Sequence, residues 1–193
     1  ISYPRIDWPD IPDQAFPIMS YQHGTIVEKS SATSVSGEWI LPAILTGAGY
    51  VYVEPDYLGL GDSEGRHPYH IKESYGTAVV DMLRAVRYYA AFENDQFLVN
   101  DQLFLAGYSE GGYATMAVHN IIERDYSDEF TITLSFPMAG AYSMSGIMVD
   151  LMLAQTPYGE PFYFPYVLFA YLDYYPSIGT VEGFLSTKTL YKN

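Results

Sequence analysis

Gln102-Leu103-Phe104-Leu105-Ala106-Gly107-Tyr108-Ser109-Glu110-Gly111-Gly112-Tyr113-Ala114 is the stretch on which the reading of this chain turns. Gln102 to Ala106 is a short apolar run of strand character, and a helix rich in small residues at its start follows from Gly111 to Glu123. Between them Gly107-Tyr108-Ser109-Glu110-Gly111 fits G-x-S-x-G. A nucleophilic serine must project from a tight strand-to-helix turn at the carboxyl edge of a sheet. Such a turn strains the backbone at Ser109, and glycines at 107 and 111 remove Cβ atoms that would collide with the strand and the helix. The helix then offers free N–H groups and the positive end of its dipole to a developing oxyanion. Gly112 and Ala114 are small where that helix has to pack closely.

A short pattern of this kind recurs by chance, and Gly61-Asp62-Ser63-Glu64-Gly65 also fits it. Context separates the two. Ser63 lies well past the end of the nearest strand-like run, Tyr50-Val51-Tyr52-Val53, and Arg66-His67-Pro68 follows it. No strand runs directly into Ser63 and no helix starts from it, so Ser109 is the expected nucleophile and Ser63 the decoy.

Outward from this centre the elements alternate. Ile1 to Tyr3 reads as the tail of a strand, and residues 4 to 17 as a loop with four prolines and three aspartates. Pro17 to Gln22 is a short apolar run ending at His23-Gly24. Residues 29 to 37 are Ser/Thr-rich and loop-like, and Ile40 to Thr46 opens a helix capped around Gly47. A glycine-rich loop spans 56 to 70. A helix over 72–92 repeats Val79, Met82, Val86 and Tyr89 at helical spacing, with Leu83 and Ala90 widening the stripe. Thr131 to Phe136 is a further strand, ended by Pro137. Strand, helix, strand, helix, strand is the signature of a mostly parallel sheet with crossover helices. After Gly140 the sequence turns rich in Met, Tyr, Phe and Pro, so residues 1–145 read as a partial α/β core and 146–193 as the start of an inserted helical cap.

Composition narrows the chemistry. The 193 residues carry a net charge of −14, and 20 of them are tyrosine. So acidic a surface repels nucleic acid and anionic headgroups, and suits a neutral or cationic small substrate. With no cysteine, disulfides and cysteine metal sites are excluded. His67 and His70 sit three apart, but Pro68 lies between them and no carboxylate cluster joins them, so a metal is not expected. The longest apolar run, 162–172, is too short to span a bilayer, which takes roughly 20 residues. No stretch near residue 1 has the basic, apolar and small-residue order of a signal peptide.

Two further motifs join Gly107–Gly112 (GYSEGG). Asp56-Tyr57-Leu58-Gly59-Leu60-Gly61-Asp62-Ser63 resembles the D-x-x-G-x-G-x-S loop after a strand in many α/β-hydrolases, and His23-Gly24-Thr25 resembles their HG oxyanion loop. From about Ser20 to Gly146 the chain resembles the secretory lipase, or lipase A-type, family. The resemblance implies an α/β-hydrolase fold, a serine esterase or lipase that needs no cofactor, a small-molecule ester as substrate, and a secreted or periplasmic protein. It implies Ser109 as nucleophile and the backbone N–H of Glu110 as one oxyanion donor. The second donor is open between Asp56 and Thr25. His23, Gly24, Tyr57 and Tyr108 are expected around the substrate. The aromatic residues from Tyr158 to Tyr175 are expected to cover an acyl pocket.

Two components are missing from this pattern. The catalytic residues of this fold run Ser, then Asp or Glu, then His. Of the four histidines, His23, His67 and His70 precede Ser109, and His119 stands ten residues into the following helix, about 15 Å along its axis. Asp150 and Asp173 fall in the cap. The acid and the histidine are therefore expected beyond residue 193 or on a second chain, and residues 1–193 alone are expected to be inactive. The rival expectations are a hydrolase-like binding protein without catalysis, and a serine peptidase or acyltransferase on the same fold.

Overall fold

Four parallel strands make one sheet in the order β2-β1-β3-β4. They are β1 (Ala15–Gln22), β2 (Val51–Val53), β3 (Leu98–Tyr108) and β4 (Ile132–Met138). The computed structural model describes residues 1–4, 14–93, 97–154 and 156–185. Most of the proline-rich stretch near the start, 5–13, and residues 186–193 lie outside that set. Helix α3 (Lys72–Tyr88) links β2 to β3, and α4 (Glu110–Asp125) links β3 to β4. The alternation expected from the sequence is the one observed, with mostly parallel pairing and crossover helices.

Several boundaries differ from expectation. β3 begins at Leu98 rather than 102, since Leu98 and Val99 pair with Ala15 and Phe16 of β1. β4 runs through Pro137 to Met138, where the sequence suggested an end. It lies at the sheet edge, where a missing N–H is tolerated. Residues 29–37 are not plain loop. They hold a 3₁₀ turn, Lys29–Ser31, and a single helical turn, α1 (Thr33–Ser36), closed by Gly37 at φ 72°. The helix α2 (Ile40–Gly47) forms as read. Residues 89–93 continue α3 as a π-helical turn. Ser2 bridges antiparallel to Tyr52, which gives the strand-like start its place.

The core lies between the sheet and the pair α3/α4. Val79, Leu83 and Val86 of α3 are fully buried with Ile18, Leu103 and Leu105 of the strands and Val118 of α4. A fully buried aliphatic side chain contributes about 1.5–3 kcal/mol, so this layer is the main source of stability. Tyr89, expected on the same stripe, is 40% exposed because the π turn rotates it off the face. The opposite sheet face carries a smaller cluster of Met19, Tyr52 and Ala106 beneath Leu41 and Leu45 of α2.

After β4 come α5 (Ile147–Met152), α6 (Tyr163–Tyr174) and α7 (Val181–Leu185). Two hydroxyls fix α6 to the core: Tyr166 donates to the Ile26 carbonyl at 3.1 Å and Tyr171 to the His70 carbonyl at 3.3 Å. Tyr69 stacks on Tyr166 with centroids 4.4 Å apart. Among the described residues no helix is long and apolar enough to cross a membrane.

Candidate active site

Ser109 stands between the last residue of β3 and the first of α4, with φ 61° and ψ −120°. That backbone lies outside the allowed regions of ordinary residues and is held from both sides. Its N–H donates to the Met138 carbonyl at 3.0 Å, and its carbonyl accepts from the Tyr113 N–H at 3.2 Å. The flanking glycines answer a close approach. A Cβ on Gly107 would stand 2.3 Å from the Gly111 carbonyl oxygen, and one on Gly111 only 1.9 Å from the Gln22 carbonyl oxygen. A serine hydroxyl on such a turn, at the carboxyl end of a central strand and the start of a helix, is arranged for nucleophilic attack. Ser63 lies in a turn instead, where its hydroxyl accepts from the Gly59 N–H at 3.0 Å.

The HG loop lies against this turn: an ideal Cβ at Gly24 would be 3.9 Å from Ser109 Cβ. His23 lies between this loop and the next, Nδ1 2.7 Å from the Gly24 carbonyl and Nε2 3.2 Å from the Asp56 carbonyl. Thr25 Oγ1 is hydrogen-bonded to the Tyr69 hydroxyl at 2.8 Å. The Asp56 carboxylate is occupied, accepting from both the backbone N–H and the hydroxyl of Ser34. Any donation from Asp56 to an oxyanion therefore falls to its backbone N–H.

A cavity of about 240 Å³ opens over Ser109. Ser109, Glu110, Tyr69 and His70 line one side, and Met144, Met148, Met152, Tyr158, Tyr163 and Val167 line the other. Of the residues expected around the substrate, His23, Gly24, Tyr57 and Tyr108 do not line this cavity. Tyr57 is buried behind it, where its hydroxyl donates to the His23 carbonyl, and Tyr108 is 58% exposed. Of the aromatic residues from Tyr158 to Tyr175 only Tyr158 and Tyr163 reach the cavity. Phe162, Phe164, Tyr174 and Tyr175 are exposed. The three methionines, spaced four apart, take the place expected of aromatics. Helical spacing in 144–152 is the signal that could have revealed them.

The Glu110 side chain is buried. Its Oε1 accepts from the Tyr75 hydroxyl at 2.8 Å and lies 2.7 Å from His67 Nε2, while His67 Nδ1 faces the Leu58 carbonyl at 2.8 Å. The glycine-rich loop is thereby tied to the residue that follows Ser109. His119 pairs with Glu123 at 3.1 Å on the far part of α4. Among the described residues no histidine is hydrogen-bonded to Ser109.

His70 is held well below the usual imidazole range, at about 4, chiefly by burial. Nearby His67 lowers it further and Glu110 raises it. Its ring is therefore neutral above that pH. Between about 6.5 and 4 the unfolded chain takes up a proton at this position that the native state refuses, so stability falls as the pH falls through that window. Replacing His70 with Gln removes the titration. The stability gap between His70→Gln and the parent should move in favour of the variant by on the order of 2–3 kcal/mol from pH 6.5 to 4, measured by urea unfolding. A gap that does not change with pH would show that His70 titrates alike in both states.

Residues 38–134 match the model of the prolyl oligopeptidase family. The chain belongs to that family. Its fold is that of the α/β-hydrolases, as solved structures also show. A Legionella pneumophila protein assigned as a hydrolase is 32% identical, with a TM-score of 0.74, over 86% of this chain and 44% of that one. The rice cell wall degrading esterase LipA from Xanthomonas oryzae is 27% identical, with a TM-score of 0.76, over 89% of this chain and 46% of its own. This prolyl oligopeptidase family chain thus spans a little under half the length of both structures. No curated protein matches it in sequence.

Proposed function

We propose that this chain carries the nucleophile of a serine hydrolase acting on small carboxylic esters through an acyl-enzyme on Ser109. The observation that carries the reading is the backbone of Ser109, held at φ 61° at the foot of a cavity. Strain of this kind persists only where the surroundings impose it, and it clusters at functional sites. In the reaction Ser109 Oγ attacks the acyl carbon and a histidine base takes its proton. The alcohol leaves with that proton, and water then releases the acid. The N–H of Glu110 at the start of α4, joined by an N–H from the Asp56 or Thr25 loop, stabilises the tetrahedral oxyanion. The likeness to LipA favours an ester. The peptidase reading rests on the matched family itself.

The test is a fluorophosphonate probe on the full-length protein, with the adduct mapped by peptide mass spectrometry. Ser109 is the expected site, and Ser109→Ala is expected to abolish labelling. An adduct on Ser63, or none, would sink the assignment. Turnover of p-nitrophenyl butyrate beside that of a prolyl p-nitroanilide then separates esterase from peptidase.

A further inference from the structure

His70 is fixed with unusual completeness for a residue outside any helix or strand. Its φ is 58°, in the left-handed region that costs a non-glycine residue energy. Three tyrosine hydroxyls hold its backbone there. Its N–H donates to Tyr75 of α3 at 2.9 Å, and its carbonyl accepts from Tyr113 of α4 at 3.1 Å and Tyr171 of α6 at 3.3 Å. The ring is sandwiched edge-on between Tyr69 and Tyr113, with centroids 4.3 and 4.5 Å away. All this scaffolding comes from three different helices and one loop, and it delivers an imidazole to the cavity that Ser109 lines.

The ring itself has no partner. Nδ1 is enclosed and unbonded, and among the described residues no hydrogen bond or ion pair involves Nε2. Buried polar side chains are satisfied in the great majority of cases, and an exception calls for an explanation. An orphaned buried N–H is rarer than an orphaned acceptor. The proton of the neutral ring therefore belongs on Nε2, leaving Nδ1 with only a lone pair. Nε2 is then a donor held by packing, in a cavity whose other walls include Met144, Met148, Met152 and Val167.

We propose that His70 is a substrate-binding residue, donating its Nε2 hydrogen to an acceptor oxygen of a neutral alkyl ester whose chain lies against Met144, Met148 and Met152. The proposal rests on the Ser109 cavity being the substrate site. Methionine adapts its shape to unbranched chains, so the single fixed donor sets where the oxygen goes and the methionines accept what is attached to it.

The experiment titrates methyl hexanoate into the Ser109→Ala protein, where the ester is not turned over, and follows the His70 ring nitrogens by ¹⁵N NMR. The Nε2 resonance should shift on saturation. His70→Phe keeps the ring's bulk and should raise the Kd about threefold to tenfold, the worth of one net hydrogen bond. His70→Gln, which carries an amide nitrogen near the place of Nε2, should restore most of it. An unmoved Nε2 resonance at saturation overturns the proposal without any substitution at His70. So does a Phe variant that binds as tightly as its parent. Probe labelling of Ser109 with ester binding indifferent to His70 would keep the nucleophile and sink the subsite. His70-dependent binding with no labelling of Ser109 would do the reverse.

Discussion

Gly111→Ala is expected to destabilise the protein by about 3 kcal/mol or more, although it adds one methyl group. The added carbon would sit 1.9 Å from the carbonyl oxygen of Gln22 and 2.7 Å from that of His23. Both atoms are backbone at the end of β1, and β1 is paired on both sides, to β2 and β3. No side-chain rotation relieves such a clash. Either α4 lifts off the sheet, or the end of β1 moves and takes the HG loop with it. The second outcome also withdraws Gly24 from beside Ser109, so a surviving folded fraction should react slowly with a fluorophosphonate. Gly159→Ala is the control: nothing lies within 4 Å of its added Cβ, and it should change stability by less than about 0.5 kcal/mol. Urea unfolding of the two variants beside the parent makes the comparison. Similar midpoints for all three would show that the elbow can open at little cost, and the steric account of its glycines would fall.

The elbow was legible in the sequence because its demands are local. A turn that needs a missing Cβ on each side leaves glycines at fixed spacing, and strand-turn-helix context distinguishes Ser109 from Ser63. The order of elements was legible for the same reason, since helical stripes and apolar runs repeat over a few residues. What escaped depends on partners far away in the chain. The start of β3 depends on Ala15 and Phe16, some eighty residues earlier. His70 looked at most like half of a doubtful metal pair, because the three tyrosines that fix it lie 5, 43 and 101 residues away. The aromatic richness of 158–175 pointed to the right part of the chain for a cavity wall. Which of those rings face inward is set by how α6 docks on Ile26 and His70, and only Tyr158 and Tyr163 line the cavity.

Glu110→Ala should cost about 3–5 kcal/mol, the range for deleting one partner of a buried polar pair. The carboxylate is only 2% exposed, and the ring it meets on His67 is equally enclosed. Truncation strips the acceptor from two buried donors at once, the Tyr75 hydroxyl and His67 Nε2. Glu110→Gln is the informative partner. Its amide oxygen can still accept from Tyr75 and His67, while its nitrogen takes the place of Oε2, which has no partner, and leaves its N–H groups unbonded. Gln keeps the acceptor at the cost of those N–H groups, so it should cost less than Ala in a urea unfolding series at neutral pH. The second consequence lies beside Ser109. Glu110 is the first residue of α4, and its N–H is the proposed oxyanion donor. The His67–Glu110–Tyr75 contacts thus anchor that N–H to the glycine-rich loop and to α3. Loosening them should slow fluorophosphonate labelling of the folded Ala variant by more than tenfold, while the Gln variant stays within a few-fold of the parent. If Ala and Gln labelled equally fast, the buried carboxylate would serve the fold alone, and the position of the oxyanion donor would rest on the elbow glycines without it.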